Sequence, residues 1–124
     1  MRLLLLTFFL LFAPGCTLVV AGAAAGGVLY LEGALEAELD APVPEAAEAA
    51  VRALEKLGLR RIDARSTGLD AEIVAETADG TELQLALEAR GQSGSHIEIR
   101  VGTFGDEEMS RRILDEIEEE LEGR

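Results

Sequence analysis

The sequence predicts an α+β fold: a two-layer sandwich with an antiparallel sheet covered on one face by two helices. Three observations predict it. From Leu29 onward, apolar and polar residues alternate in several short runs, the period of strands with one wet face. Two longer stretches, near residues 43–57 and 106–121, repeat apolar residues at helical spacing. Each strand has one apolar parity and each helix one apolar stripe, so all of them must close on a shared core. The predicted order is β-α-β-β-β-β-α.

In the first strand Leu29, Leu31, Leu35, Ala37 and Leu39 share one parity, with Glu32, Glu36, Glu38 and Asp40 on the other. The alternation reads as a single long strand. Pro42-Val43-Pro44 ends it and opens a helix, because proline suits the first helical turn. Ala47, Ala50, Val51, Leu54 and Leu57 make the stripe of that helix, and Gly58 is its C-terminal cap. Four short strands follow. Their apolar positions are Ile62 and Ala64; Leu69, Ala71, Ile73 and Ala75; Leu83, Leu85 and Leu87; Ile97, Ile99 and Val101.

Between the second and third of these four lies Thr77-Ala78-Asp79-Gly80-Thr81. A two-residue loop of Asp79-Gly80 would set Ala75 against Gln84, an apolar residue against a polar one on the same face. A three-residue loop over residues 78–80 pairs Ala75 with Leu83 and Ile73 with Leu85. That register is expected, with Gly80 left-handed. Gly91-Gln92-Ser93-Gly94-Ser95 is the next turn. Asp106 caps the last helix, whose stripe is Met109, Ile113, Ile117 and Leu121 with Leu114 alongside. Glu107 with Arg111 and Glu108 with Arg112 are i,i+4 pairs in the favourable order. Glu118-Glu119-Glu120 opposes the dipole at the C-terminal end, so fraying is expected there. The outer sheet face reads as a wet carboxylate surface, with Glu36, Glu72, Glu88 and Glu98 among its members. Charge, chiefly acidic, is expected to protect the sheet edges.

Composition limits what such a body can do. The chain has 124 residues, 24 acidic and 11 basic side chains, and a formal charge of −13. Residues 1–15 contribute only Arg2 to that count and hold three of the four Phe. Nucleic-acid binding needs a basic stripe and stacking aromatics, and the body offers neither. The same sign opposes anionic headgroups. Cys16 and His96 are the only residues of their types, which excludes an internal disulfide and the usual zinc frameworks. No nucleophile sits beside a base, so the reading is non-catalytic, with no cofactor and no metal. His96 reads as a solvent-facing strand-end residue without partners. Asp115, Glu116, Glu119 and Glu120 could form a loose calcium patch, yet nothing there has the spacing of a calcium loop.

The N-terminus carries an address. Met1-Arg2 precedes ten residues with a single hydroxyl, residues 3–12. That is the length of a signal-peptide h-region and too short to span a bilayer. Ala13-Pro14-Gly15-Cys16 follows and resembles a bacterial lipobox, with Ala13 and Pro14 where the usual pattern carries Leu and then Ala or Ser. The resemblance implies cleavage before Cys16 and fatty acyl chains, such as palmitate, on Cys16. Thr17 stands where an inner-membrane lipoprotein carries Asp, which implies the outer membrane, facing the periplasm. Two other readings stay open: cleavage after Ala21-Gly22-Ala23, or an uncleaved single-pass anchor over residues 3–31. The organisation is then a signal peptide (residues 1–15), a lipidated Ala/Gly-rich tether (residues 16–27) and a small α+β domain (residues 28–124).

The segment Gly102-Thr103-Phe104-Gly105-Asp106-Glu107-Glu108-Met109-Ser110-Arg111-Arg112-Ile113-Leu114 follows the last strand. It resembles the closing G-T-F-G-D-E-x-x-S-R-x-I-L stretch of an uncharacterised family of small bacterial lipoproteins. That resemblance implies an envelope location and brings no catalytic residues. The element order is also similar to the TATA-binding-protein-like topology, a likeness of fold alone. Gly102, Thr103, Phe104, Gly105 and Asp106 have the best claim to being special. Read plainly, the two glycines shape a tight strand-to-helix corner with Phe104 as its plug; read functionally, the corner docks a partner. The expected role is therefore a non-catalytic envelope lipoprotein that binds an envelope protein or serves the envelope structurally. The competing class is a small-ligand carrier holding its cargo under the helices.

Overall fold

The computed structural model describes residues 27–123. Its elements are β1 (Leu29–Leu31), β2 (Ala34–Leu39), α1 (Val43–Lys56), β3 (Arg60–Ser66), β4 (Asp70–Glu76), β5 (Glu82–Arg90), β6 (Gly94–Val101) and α2 (Glu107–Glu122). The six strands form one antiparallel sheet in the order β1-β2-β6-β5-β4-β3. Both helices lie on one face, so the α+β sandwich stands.

The core follows from register. Leu35 on β2 pairs with Ile99 on β6, Ile99 with Leu85 on β5, and Leu85 with Ile73 on β4. All four side chains are fully buried or nearly so, in one layer beneath the helices. The expected pairing of Ala75 with Leu83 is present, and Gly80 turns the loop at φ +88°. The Thr77 amide donates to the Thr81 carbonyl at 2.9 Å, and the Gly80 amide to the Thr77 carbonyl at 3.0 Å. Ala46, Ala49, Ala50 and Ala53 are buried along α1, where methyl side chains let its backbone lie close to its neighbours. Gly58 ends α1 at φ +73°. Its amide donates to Glu55 and that of Leu59 to Leu54, the paired bonds of a Schellman cap.

Several expectations are corrected. The single long first strand is a hairpin, which makes the order β-β-α-β-β-β-β-α. Glu32 (φ +52°) and Gly33 (φ +84°) turn the chain between β1 and β2. Two positive φ values are what a type I′ turn requires, and Glu at the first position concealed it. The turn reverses the parity: Tyr30 packs against the core, whereas Leu29 and Leu31 are half exposed on the outer face. Leu69 lies in the β3–β4 turn rather than in the core and is 73 % exposed. Strand β3 is exposed along its whole length, with a bulge between Arg61 and Asp63 that leaves Ile62 out of the pairing. Nor does α2 end at its glutamates: it continues to Glu122, because α1 supplies cations to them.

Candidate functional site

The corner between β6 and α2 is built by glycines. Gly102 (φ +71°) donates its amide to the Glu82 carbonyl at 2.8 Å, which fixes the end of β6 to the start of β5. Gly105 (φ +83°) lies against the β1–β2 turn so closely that a Cβ would overlap the Gly33 carbonyl oxygen and the Tyr30 hydroxyl. A Cβ on Gly33 would meet the Phe104 carbonyl at 2.8 Å. Arg100 donates from Nη1 to the Glu32 carbonyl at 3.1 Å across the same junction. Main chain therefore touches main chain here, and only glycine permits it.

Asp106 is occupied within this frame. Its carboxylate accepts from the Met109 amide at 3.0 Å, and its carbonyl accepts from the Ser110 hydroxyl at 2.7 Å. Thr103 and Phe104 carry the surface. Phe104 is 93 % exposed, so it is no plug. Beside it runs a groove of about 510 Å³, lined by Thr81, Glu82, Gln84 and Arg100. The five corner residues are thus contiguous, with two glycines and Asp106 as frame and Phe104 as the projecting group. Cys16 lies outside the described residues.

His96 has partners that the sequence did not reveal. Its Nδ1 lies 2.8 Å from Glu38 Oε1 and its Nε2 lies 3.3 Å from Glu36 Oε1. Both glutamates stand on β2, and only the β2–β6 register brings them to the histidine. Val28 and Leu29 border the same spot.

The two helices are joined by a charge cluster. Lys56 Nζ lies 2.6 Å from Glu120 and 3.1 Å from Glu116, and Arg52 Nε lies 2.9 Å from Glu120. Hydrogen bonding to Glu120 and then to Glu116 holds the Lys56 ammonium well above its usual range. Lys56 and then Arg52, by the same bonds, hold the Glu120 carboxyl below its own. Two members of the supposed calcium patch, Glu116 and Glu120, therefore already answer to cations. Among the described residues, no group of three or more His, Cys, Asp or Glu is arranged to hold a metal ion.

A second surface escaped sequence reasoning altogether. Between α1 and β3 runs an open groove of about 430 Å³ with an apolar floor that includes Val51, Ala64 and Ile73. Arg52 and Arg61 stand on its rim, with Glu48 the one acid among its lining residues. The edge expected to be guarded by acids is in fact the most basic strand of the sheet. Among the described residues, no helix is long and apolar enough to cross a membrane.

A family model described as a protein of unknown function (DUF3568) matches residues 1–120, and the chain belongs to that family. No curated protein matches the sequence.

Proposed function

We propose that this DUF3568 member is a non-catalytic envelope lipoprotein, held to the outer membrane by acyl chains on Cys16 and facing the periplasm, whose glycine corner docks a partner protein. The observation that carries the docking reading is Phe104. A phenylalanine exposed at 93 % on a frame of glycines gains nothing for the fold where it stands. Large aromatics on rigid supports are the side chains that anchor protein interfaces. The frame is rigid because Gly33 and Gly105 bring main chains into contact and the Gly102 amide bonds the Glu82 carbonyl. What supports the anchor is the run of residues 1–16, a charged start, an apolar decamer and the sole cysteine at its end.

Two measurements test the reading. Mass spectrometry of the mature protein is expected to give an N-terminal acylated Cys16, and an intact Met1 or a free amine at Ala24 contradicts it. A photo-crosslinking residue at position 104 is expected to give a discrete adduct in intact envelopes, one that the same residue at Gln92 does not give. Identical products from both positions would remove the docking role.

A further inference from the structure

The strongest remaining surface is the far edge of the sheet. β3 ends the strand order, and all seven of its residues are exposed, so one side of its backbone is unpaired among the described residues. Unpaired edges are templates for another strand. Beside the edge lies the groove floored by Ala47, Val51, Ala64 and Ile73. Ile62, at 50 %, and Leu69, at 73 %, add exposed apolar surface along it.

Charge says what can lie there. Residues 52–65 hold five of the eleven basic side chains in the whole chain and only two acids, Glu55 and Asp63. Their placement depends on the bulge. Arg60 pairs opposite Glu76 and Arg65 opposite Glu72, which puts both arginines on the outer face although five positions separate them. Arg61, opposite the buried Ala75, points to the groove side and has no carboxylate partner among the described residues. Arg60 bridges Glu76 at 2.6 Å, whereas Arg65 reaches its carboxylates only at 3.5 and 3.8 Å and is the freer of the two. Two copies joined along β3 would bring these arginines together, and like charges on facing strands oppose pairing. A strand of opposite sign meets no such barrier.

We propose that β3 accepts an extended acidic segment of a partner protein as an added seventh strand. Its outward carboxylates meet Arg60 and Arg65, and its alternate small apolar side chains enter the groove, with an acid at the rim for Arg61. Main-chain bonds would supply affinity and the arginines would supply sign selection. This surface is separate from the Phe104 corner, which adjoins the opposite edge, so either can fail without the other.

The test uses the full chain in detergent micelles and two labelled heptapeptides, one alternating Glu with Val and one alternating Lys with Val. Fluorescence anisotropy is expected to show binding of the acidic peptide alone, weakened by added salt. Amide hydrogen exchange is expected to slow within Arg60–Ser66 when that peptide is bound. The triple variant R60Q/R61Q/R65Q, all exposed positions and with no new like-charge pair against Glu72 or Glu76, is expected to keep its melting transition and lose at least about tenfold in affinity. Arg61→Gln alone is expected to weaken binding less. Equal binding of both peptides overturns the proposal, as does protection outside β3 or unchanged affinity in the triple variant. Competition by decanoate without any protection of β3 also overturns it, because the groove would then be a site for small amphiphiles.

Discussion

The two edges of this sheet are finished in opposite ways. At one, β1 has three residues, its turn lies against the glycine corner, and Tyr30 packs into the core. At the other, β3 has seven residues, a bulge and no cover among the described residues. The first edge is short, with its turn held by backbone contact; the second is long and carries three arginines. Both are established answers to the hazard of an unpaired strand. Their difference teaches that a chain with a net charge of −13 can still reserve one basic strip, and that global charge is a poor guide to a local surface.

Perturbing the centre of the sheet sets the scale against which both edges are measured. Leu85 is fully buried midway along β5, and Leu85→Ala is expected to cost roughly 2–5 kcal/mol in urea melts. Ser95 tests the same interior with the opposite sign. Its side chain is buried on β6 and its hydroxyl has no hydrogen-bond partner among the described residues. Ser95→Ala is expected to stabilise the fold by about 0.5–1 kcal/mol, read as a higher urea midpoint.

The helix layer responds to acid. Lys56 and Arg52 hold the Glu120 carboxyl below the ordinary glutamate value of 4.5. A value depressed by folding stabilises the folded state above the unfolded pKa, and the contribution disappears as pH falls through the folded one. Stability is therefore expected to drop below about pH 4.5, and Glu120→Gln to flatten that limb in thermal melts across pH. Least affected is the wet face: Glu82→Ala, exposed on the same strand as Leu85, is expected to cost under about 0.5 kcal/mol.

Much of the fold was legible in the sequence because parity is a physical demand. Ile73, Leu85 and Ile99 had to share a face, and that requirement alone selected the three-residue loop over residues 78–80. Asp106 declared its helix by its own chemistry. The β1–β2 hairpin was hidden because alternation continues through it, and Glu32 gives no sign of a positive φ. The helix clamp was hidden because Lys56 and Glu120 are 64 positions apart and only packing unites them. The five corner residues were legible as a set, since glycines bracketing an aromatic before a helix form a local pattern. Whether Phe104 turned inward or outward was not, because that depends on how close the β1–β2 turn comes. The β3 strip was missed because Ile62 and Ala64 imitate a buried parity, and a bulge cannot be read from spacing.

The contrast between the edges is tested most directly by one pair of variants, melted in urea side by side. Gly105→Ala puts a Cβ into the Gly33 carbonyl and the Tyr30 hydroxyl at a positive φ, and is expected to cost more than about 1 kcal/mol. Arg61→Ala, on the open edge, is expected to cost under about 0.5 kcal/mol. Equal losses from the two, or a larger loss at Arg61, would contradict the account of one edge closed by packing and the other left free.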